Sequence, residues 1–467
     1  MCWKRTIAGL AAVFAVALLV VPAEASTLSR LGANKKVCQL TGEADWLTGK
    51  PTNARTQSRY GLFGVDLGFP VESDSGVLYF LFGDTRPNGH PPGSVPTWPP
   101  DDAMGQTSRT AAPDEKTCLD LTLVGSGRTS FGHPTVTPAI QQGSFNVPTG
   151  GYFVGDRFYA FFLTDHCWRP DPFGPNPTTP LALPTAPPGG HCPETPDNNS
   201  LGASVLAHAK SSNPLAFTQV ATPMPNGFVY VTAAISAPRM RGVDYRRLGY
   251  VPPIYVFGIA RYRQSIPYLA RAPQKTFGDV TTWSYYGGSN TSGPVWLTYA
   301  QWQSGRVGSE WSPPAGAELY ADSPNAYSPS MDEHCVGEHS ANYIGALQSW
   351  LLLYTCGPHQ VEARTAPYPW GPWSPPTVLL SAEENPGLYC TLFWNKAGAG
   401  GCPGLVSQQG PLFSFGAFYA PFVMTRFTQT EAPPSGELGR QATIYWLLST
   451  WDPYQVTVMR TRLNLAP

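Results

Sequence analysis

Five apolar strand segments of similar character recur along the chain. They are Val77–Phe82 (VLYFLF), Phe158–Leu163 (FYAFFL), Pro253–Phe257 (PIYVF), Trp350–Tyr354 (WLLLY) and Thr443–Leu448 (TIYWLL). Their spacing of about 80 to 97 residues exceeds what a bare four-stranded blade needs. None alternates apolar with polar residues, so each is predicted to be buried on both faces. A strand stacked between two neighbouring sheets reads in this way. Several are followed by another strand of common character, as at Tyr268–Arg271, Val361–Arg364 and Val458–Thr461. No linker interrupts the repeats, and no amphipathic helix follows the N-terminal region. The expectation is an all-β chain, one five-bladed β-propeller over residues 26–467 with long Pro/Gly-rich loop insertions. A pair of β-sandwiches is the alternative. The excess length is assigned to surface loops at Asn88–Asp114 and Asp171–Asn199, both rich in proline.

The first 25 residues read as a secretory signal: Lys4 and Arg5, an apolar run from Ile7 to Val21, and Ala23-Glu24-Ala25 before Ser26. The expected product is secreted or periplasmic, with no membrane span after cleavage. Eight cysteines then remain, an even number that in an exported chain favours disulfides over metal. Proximity pairs Cys335 with Cys356, Cys390 with Cys402 and Cys167 with Cys192. No metal or cofactor motif is present: there is no Cys-x-x-Cys, no His-x-x-x-His with an added acid, no Walker loop and no Gly-x-Ser-x-Gly elbow. A formal net charge of −1 and the lack of a basic block exclude nucleic acid as the partner. Fourteen tryptophans suit either a well-filled core or stacking against sugar rings.

The first repeat carries the chemistry. Gly64-Val65-Asp66-Leu67-Gly68 and Phe82-Gly83-Asp84-Thr85 flank a hairpin whose turn reads Ser73-Asp74-Ser75-Gly76. Counting outward from that turn sets Glu72 opposite Val77 and Asp66 opposite Gly83. Asp84 is then a diagonal neighbour of Asp66. Two carboxylates sharing a small space cannot both ionise easily. One protonated and one ionised acid are the working parts of glycoside hydrolysis.

In a propeller the ends of the inner strands line a funnel. Glu338 opens its blade's inner strand, in Val336-Gly337-Glu338-His339-Ser340, as Asp66 does in the first. The catalytic candidates are therefore Asp66, Asp84 and Glu338. Asp165, His339, Arg261, Arg263 and Arg426 are expected to meet substrate at the same funnel. Turn or capping acids at Asp84, Asp165 and Asp452, and a structural histidine at His339, are the competing readings.

The motif Gly64–Gly68 with Leu78–Thr85 resembles the opening of a bacterial family first catalogued as domain of unknown function 4185. That family has since been linked to endo-D-arabinanases, glycoside hydrolase family 183. Tyr255–Ser265 and Ala442–Val456 are similar to its middle and closing segments, so the resemblance covers about Cys38 to Leu463. It implies a five-bladed propeller that cleaves internal α-D-arabinofuranosyl linkages of D-arabinan, with Asp66 and Asp84 at the acidic positions. The long proline-rich insertions, the eight cysteines and the Val243–Arg247 segment depart from the typical pattern. The expected partner is a D-arabinan or related furanose polysaccharide, and the expected state a monomer. A non-catalytic glycan-binding propeller and a hydrolase for L-arabinan are the alternatives.

Overall fold

The structure is a computed structural model that describes residues 27–87, 102–125, 146–164, 203–220, 222, 224–235, 239–240, 243–244, 251–260, 265–307, 310–320, 335–357, 360–381, 390–393, 416–433 and 439–466. Five antiparallel sheets form the blades of a propeller. Their inner strands are Leu62–Glu72, Asn146–Val154, Tyr230–Ile235, Val336–Ile344 and Phe418–Val423. Each packs against the next, and the fifth returns to the first, so the ring is closed. Each of the five recurring apolar segments, apart from the leading Val77 and Pro253, falls in the second strand of its blade: Leu78–Pro87, Arg157–Thr164, Ile254–Ile259, Ser349–Cys356 and Arg440–Thr450. The predicted third strands are present at Pro267–Ala272, Gln360–Ala366 and Gln455–Ala466.

The unbroken apolar runs have a geometric cause. Successive side chains of a strand point to opposite faces. In blade four Trp350 and Leu352 pack with the central cluster, whereas Leu351 and Leu353 pack with Ile444, Trp446 and Leu448 of blade five. In blade two Phe158 and Phe162 face one neighbour while Tyr159 and Phe161 face Phe277 of the other. Both faces are interior, and each fully buried large side chain contributes about 1.5–3 kcal/mol. The last blade is completed from the other end of the chain: Thr27–Arg30 and Lys35–Gln39 both pair with Gln455–Ala466. Cys38–Cys118 ties this closing segment to blade one, a bond that proximity in sequence did not suggest. Cys335–Cys356 is paired as expected. Cys167, Cys192 and Cys402 lie outside the described residues. No described helix is long and apolar enough to cross a membrane.

Two expectations are corrected. The stretch Asn88–Asp114 is not all surface loop, because Ala103–Thr107 is the third strand of blade one and Ala103 and Met104 are fully buried. The hairpin turn is one residue longer than predicted: Ser73 bonds to Val77 and Glu72 faces Leu78. Asp66 nonetheless faces Gly83 as expected, because a bulge at Gly68 absorbs the extra residue.

Candidate active site

Strand register brings Asp66 and Asp84 to one end of blade one. Asp66 sits on the inner strand opposite Gly83, and Asp84 follows on the second strand. Gly83 matters because a Cβ there would lie 3.1 Å from Asp66 Oδ1, so the carboxylate rests directly over backbone. Gly64 admits the turn of blade five: Val65 N–H donates to the Tyr454 carbonyl at 3.1 Å, where a side chain on Gly64 would collide. The inner strands of blades one, two, four and five each carry a register shift near this end, around Gly68, Thr149, Gly337–Glu338 and Ala420–Pro421. Such bulges re-aim side chains. Leu67, Asp84 and Ala420 are three of the five described non-glycine residues with positive φ; Asp84 belongs to the carboxylate pair, Leu67 follows Asp66, and Ala420 follows Tyr419. Backbone strain of this kind, about 1–3 kcal/mol at each position, concentrates at functional sites.

Asp66 is 6% exposed. Its Oδ2 accepts a hydrogen bond from the Tyr419 hydroxyl at 2.9 Å. The Tyr454 hydroxyl faces the same carboxylate, and Glu338, fully buried, stands close enough for its charge to act on it. Burial, and then the Glu338 charge, push the Asp66 pKa up to about 7 against the opposing pull of Tyr419, Tyr454 and Arg86. Asp84 keeps partial exposure, but its Oδ1 is buried. Burial and the charges of Asp66 and Asp102 raise its pKa well above the carboxylate range, with Arg86 again opposing. The side chain of Asp102 accepts the Asp84 N–H at 3.0 Å and so braces its left-handed backbone. Arg86, two residues beyond Asp84 on the same strand face, lies 4.3 Å over the Tyr454 ring and 5.5 Å from that of Trp451.

Oδ1 of Asp66 and Oδ1 of Asp84 are both buried and make no hydrogen bond. Buried carboxylate oxygens are almost always satisfied. Two that are not, in one cluster, leave unmet hydrogen-bonding capacity at this end of blade one.

The other candidates divide. Glu338 joins the cluster. His339 is fully buried, with Nδ1 3.1 Å from the Gly337 carbonyl and its ring 5.5 Å from that of Tyr230. Burial lowers its pKa to about 4, which favours a neutral, packed histidine over the exposed funnel contact that was expected. Arg426 is placed at the wrong end of the propeller for the predicted role. It follows the inner strand of blade five and donates to Glu72 at 2.8 Å and to the Gly76 carbonyl at 2.6 Å, at the hairpin turn remote from Asp66. Asp165, Arg261 and Arg263 lie outside the described residues. Sequence reasoning missed Asp102, Arg86, Tyr419 and Tyr454. The period-two alternation of a strand would have found Arg86 from Asp84. The group Cys335, Cys356 and Glu362, which has the residue types of a metal site, is occupied by the Cys335–Cys356 disulfide.

Solved structures of similar fold include a putative hydrolase from Bacteroides ovatus ATCC 8483, at 12% identity over 87% of each chain and a TM-score of 0.45. A GH43_1 enzyme from Xanthomonas citri matches at 10% identity over 86% of this chain and 90% of that one, with a TM-score of 0.38. An exo-beta-1,3-galactanase from Phanerochaete chrysosporium matches at 10% identity over 91% of this chain and 64% of that one, with a TM-score of 0.37. No curated protein matches the sequence. The model of the family described as domain of unknown function DUF4185 matches residues 52–460, the span that includes the inner and second strands of all five blades and the whole acidic cluster, and the chain belongs to that family.

Proposed function

We propose that the protein is a glycoside hydrolase that cuts internal α-D-arabinofuranosyl linkages of D-arabinan. The observation that carries the reaction class is the pair of unpartnered carboxylate oxygens on Asp66 and Asp84. The choice of D-arabinan rests on the sequence resemblance of Gly64–Thr85 and the two later segments.

Asp84, holding its proton, serves as the general acid. It passes that proton to the departing glycosidic oxygen as the bond to the anomeric carbon breaks. Asp66, anchored on one oxygen by Tyr419 and charge-balanced by Arg86, presents the other to the opposite side of the reaction. Ionised, it either attacks the anomeric carbon or takes a proton from the water that does. Asp84 then receives a proton back if a covalent intermediate has to be opened by water. Glu338 and Asp102 contribute negative charge that keeps one proton on the pair near neutral pH.

The test is digestion of mycobacterial arabinogalactan by the purified protein. Release of arabinose-containing oligosaccharides of several lengths is expected, with D-arabinose at their new reducing ends and α-D-arabinofuranosyl linkages within them on linkage analysis. Absence of products from this and every other arabinan would overturn the reading in favour of a glycan-binding propeller. Products from L-arabinan alone would keep the chemistry and replace the substrate.

A further inference from the structure

The end of the propeller away from the carboxylates carries an aromatic surface that the catalytic reading does not use. In blade four the loop after the third strand Gln360–Ala366 holds Tyr368 and Trp370. Their rings are stacked, 5.3 Å between centroids and 2° from parallel, and Tyr368 is 41% exposed, one of three exposed large hydrophobic residues among those described. Across the seam, blade three presents Trp296 on its strand Gly293–Leu297, perpendicular to Trp370 at 6.0 Å. The Arg271 guanidinium lies over the Trp296 ring at 4.2 Å. Trp370 is anchored beneath by the buried ring of Tyr255.

Strand direction fixes where this surface lies. Inner strands begin at the carboxylate end, where Tyr419 meets Asp66 and Tyr230 meets His339. Third strands run in the same sense, so the loop after Ala366 emerges at the far end. Arg271 and Tyr255 face each other near the end of the third strand and the start of the second in blade three, at that same far end. A nine-residue inner strand such as Val336–Ile344 separates the two ends by about 30 Å.

We infer that this seam is a second, non-catalytic glycan-binding site that holds a remote stretch of the polysaccharide chain. The inference rests on the reading of the protein as glycan-active. Its chemistry favours a sugar chain. The outer face of Tyr368 offers a flat platform for the C–H face of a ring. Among the described residues, neither the Arg271 guanidinium nor the indole N–H of Trp296 or Trp370 has a hydrogen-bond or carboxylate partner. These donors, with the Tyr368 hydroxyl, lie along the same seam as the platform and suit the closely spaced oxygens of a glycan. An apolar protein helix would leave every one of them unanswered. A site of this kind on an endo-acting enzyme would keep the protein on an insoluble polymer between cuts.

The experiment measures the fraction of full-length protein bound to insoluble arabinogalactan, using Asp66→Asn protein so that the polymer stays intact. Adding Tyr368→Ala and Trp370→Ala should weaken binding by about 10-fold. Tyr368→Ala alone, at an exposed position where folding is not at risk, should lose a large part of that. With wild-type Asp66 in place, cleavage of a short soluble arabino-oligosaccharide should be unchanged by Tyr368→Ala, because such a ligand cannot reach both ends. Binding that is equal with and without Tyr368 overturns the inference, as does a parent protein that fails to bind the polymer. Failure of cleavage with Tyr368-dependent binding intact would instead count against the hydrolase reading alone.

Discussion

Blade one, with two tyrosines of blade five, and blade four each bury carboxylate, arginine and tyrosine together, yet the two clusters are wired differently. In blade four Tyr354 donates to Glu362 Oε2 at 2.6 Å and Gln360 donates to Oε1 at 2.6 Å. Arg364 donates to the Tyr354 oxygen at 3.0 Å and to the Ser374 carbonyl at 3.2 Å, and lies 3.9 Å over the Tyr320 ring. Both oxygens of that carboxylate are answered. In blade one Asp66 has one oxygen answered by Tyr419, and both Asp66 and Asp84 leave Oδ1 open. A satisfied buried network makes one conformation rigid, whereas an unsatisfied one costs stability and waits for a ligand. The residue types are almost the same; the count of unanswered oxygens separates scaffold from site.

Mutation should therefore move the two clusters in opposite directions. Asp84→Asn is expected to lower turnover of arabinan by about 10²- to 10⁴-fold, since the proton donor is lost. It should leave thermal stability near wild type, because a protonated acid is replaced by a neutral amide of the same shape. Glu362→Ala is expected to cost about 3 kcal/mol of stability by stranding Arg364 and Tyr354 in the interior. Its turnover below the melting transition should stay near wild type. Paired melting curves and initial rates check both. A destabilised Asp84→Asn with near-normal rates would erase the distinction between the clusters.

A smaller effect appears in the pH dependence of stability. An acid whose pKa folding raises binds its proton more tightly in the native state, so that contribution is complete below the unfolded value. It is lost as pH rises through the folded one. For Asp66 that window runs from 3.8 to about 7. His339 acts in the opposite sense, losing stability as pH falls from 6.5 toward about 4. The informative quantity is thus the difference between wild type and Asp66→Asn. The variant should gain melting temperature relative to wild type as pH rises from 4 to 8. Glu362→Ala should show no such trend through Asp66.

The blades were legible in the sequence because a strand packed between two sheets has no polar face to write. Asp66 was placed opposite Gly83 for partly the wrong reason: a turn one residue too short was compensated by the unforeseen bulge at Gly68. Bulges leave little trace in a pattern of apolar residues, though Gly68 with φ +80° is one such trace. Asp102 was hidden because it borders a five-residue strand, Ala103–Thr107, with only one large apolar side chain, inside a proline-rich stretch. Arg426 was assigned to the correct blade and the wrong end. Sequence identifies the strand that a residue follows more readily than the rim to which that strand leads.

Asp102 offers the finest test of why blade one stays unsatisfied. Its side chain accepts the Asp84 N–H, which any acceptor of the same shape would do, and its charge opposes ionisation of Asp84. Asp102→Asn with the amide oxygen toward Asp84 keeps the first role and removes the second. The Asp84 proton should then leave more easily, and the alkaline limb of the turnover–pH profile should move to lower pH. Asp102→Ala should add a loss of about 1 kcal/mol in stability, as the backbone donor at Asp84 goes unanswered. The groups acting on Asp84 are Arg86 on its own strand and Asp66 and Asp102 on either side, with Tyr454 close by. Of these, Asp102 is the one whose charge can be removed while both members of the carboxylate pair and Arg86 keep their own side chains. An alkaline limb that stays in place in Asp102→Asn would mean that burial and Asp66 alone hold the proton, and that Asp102 serves only to brace the strained backbone.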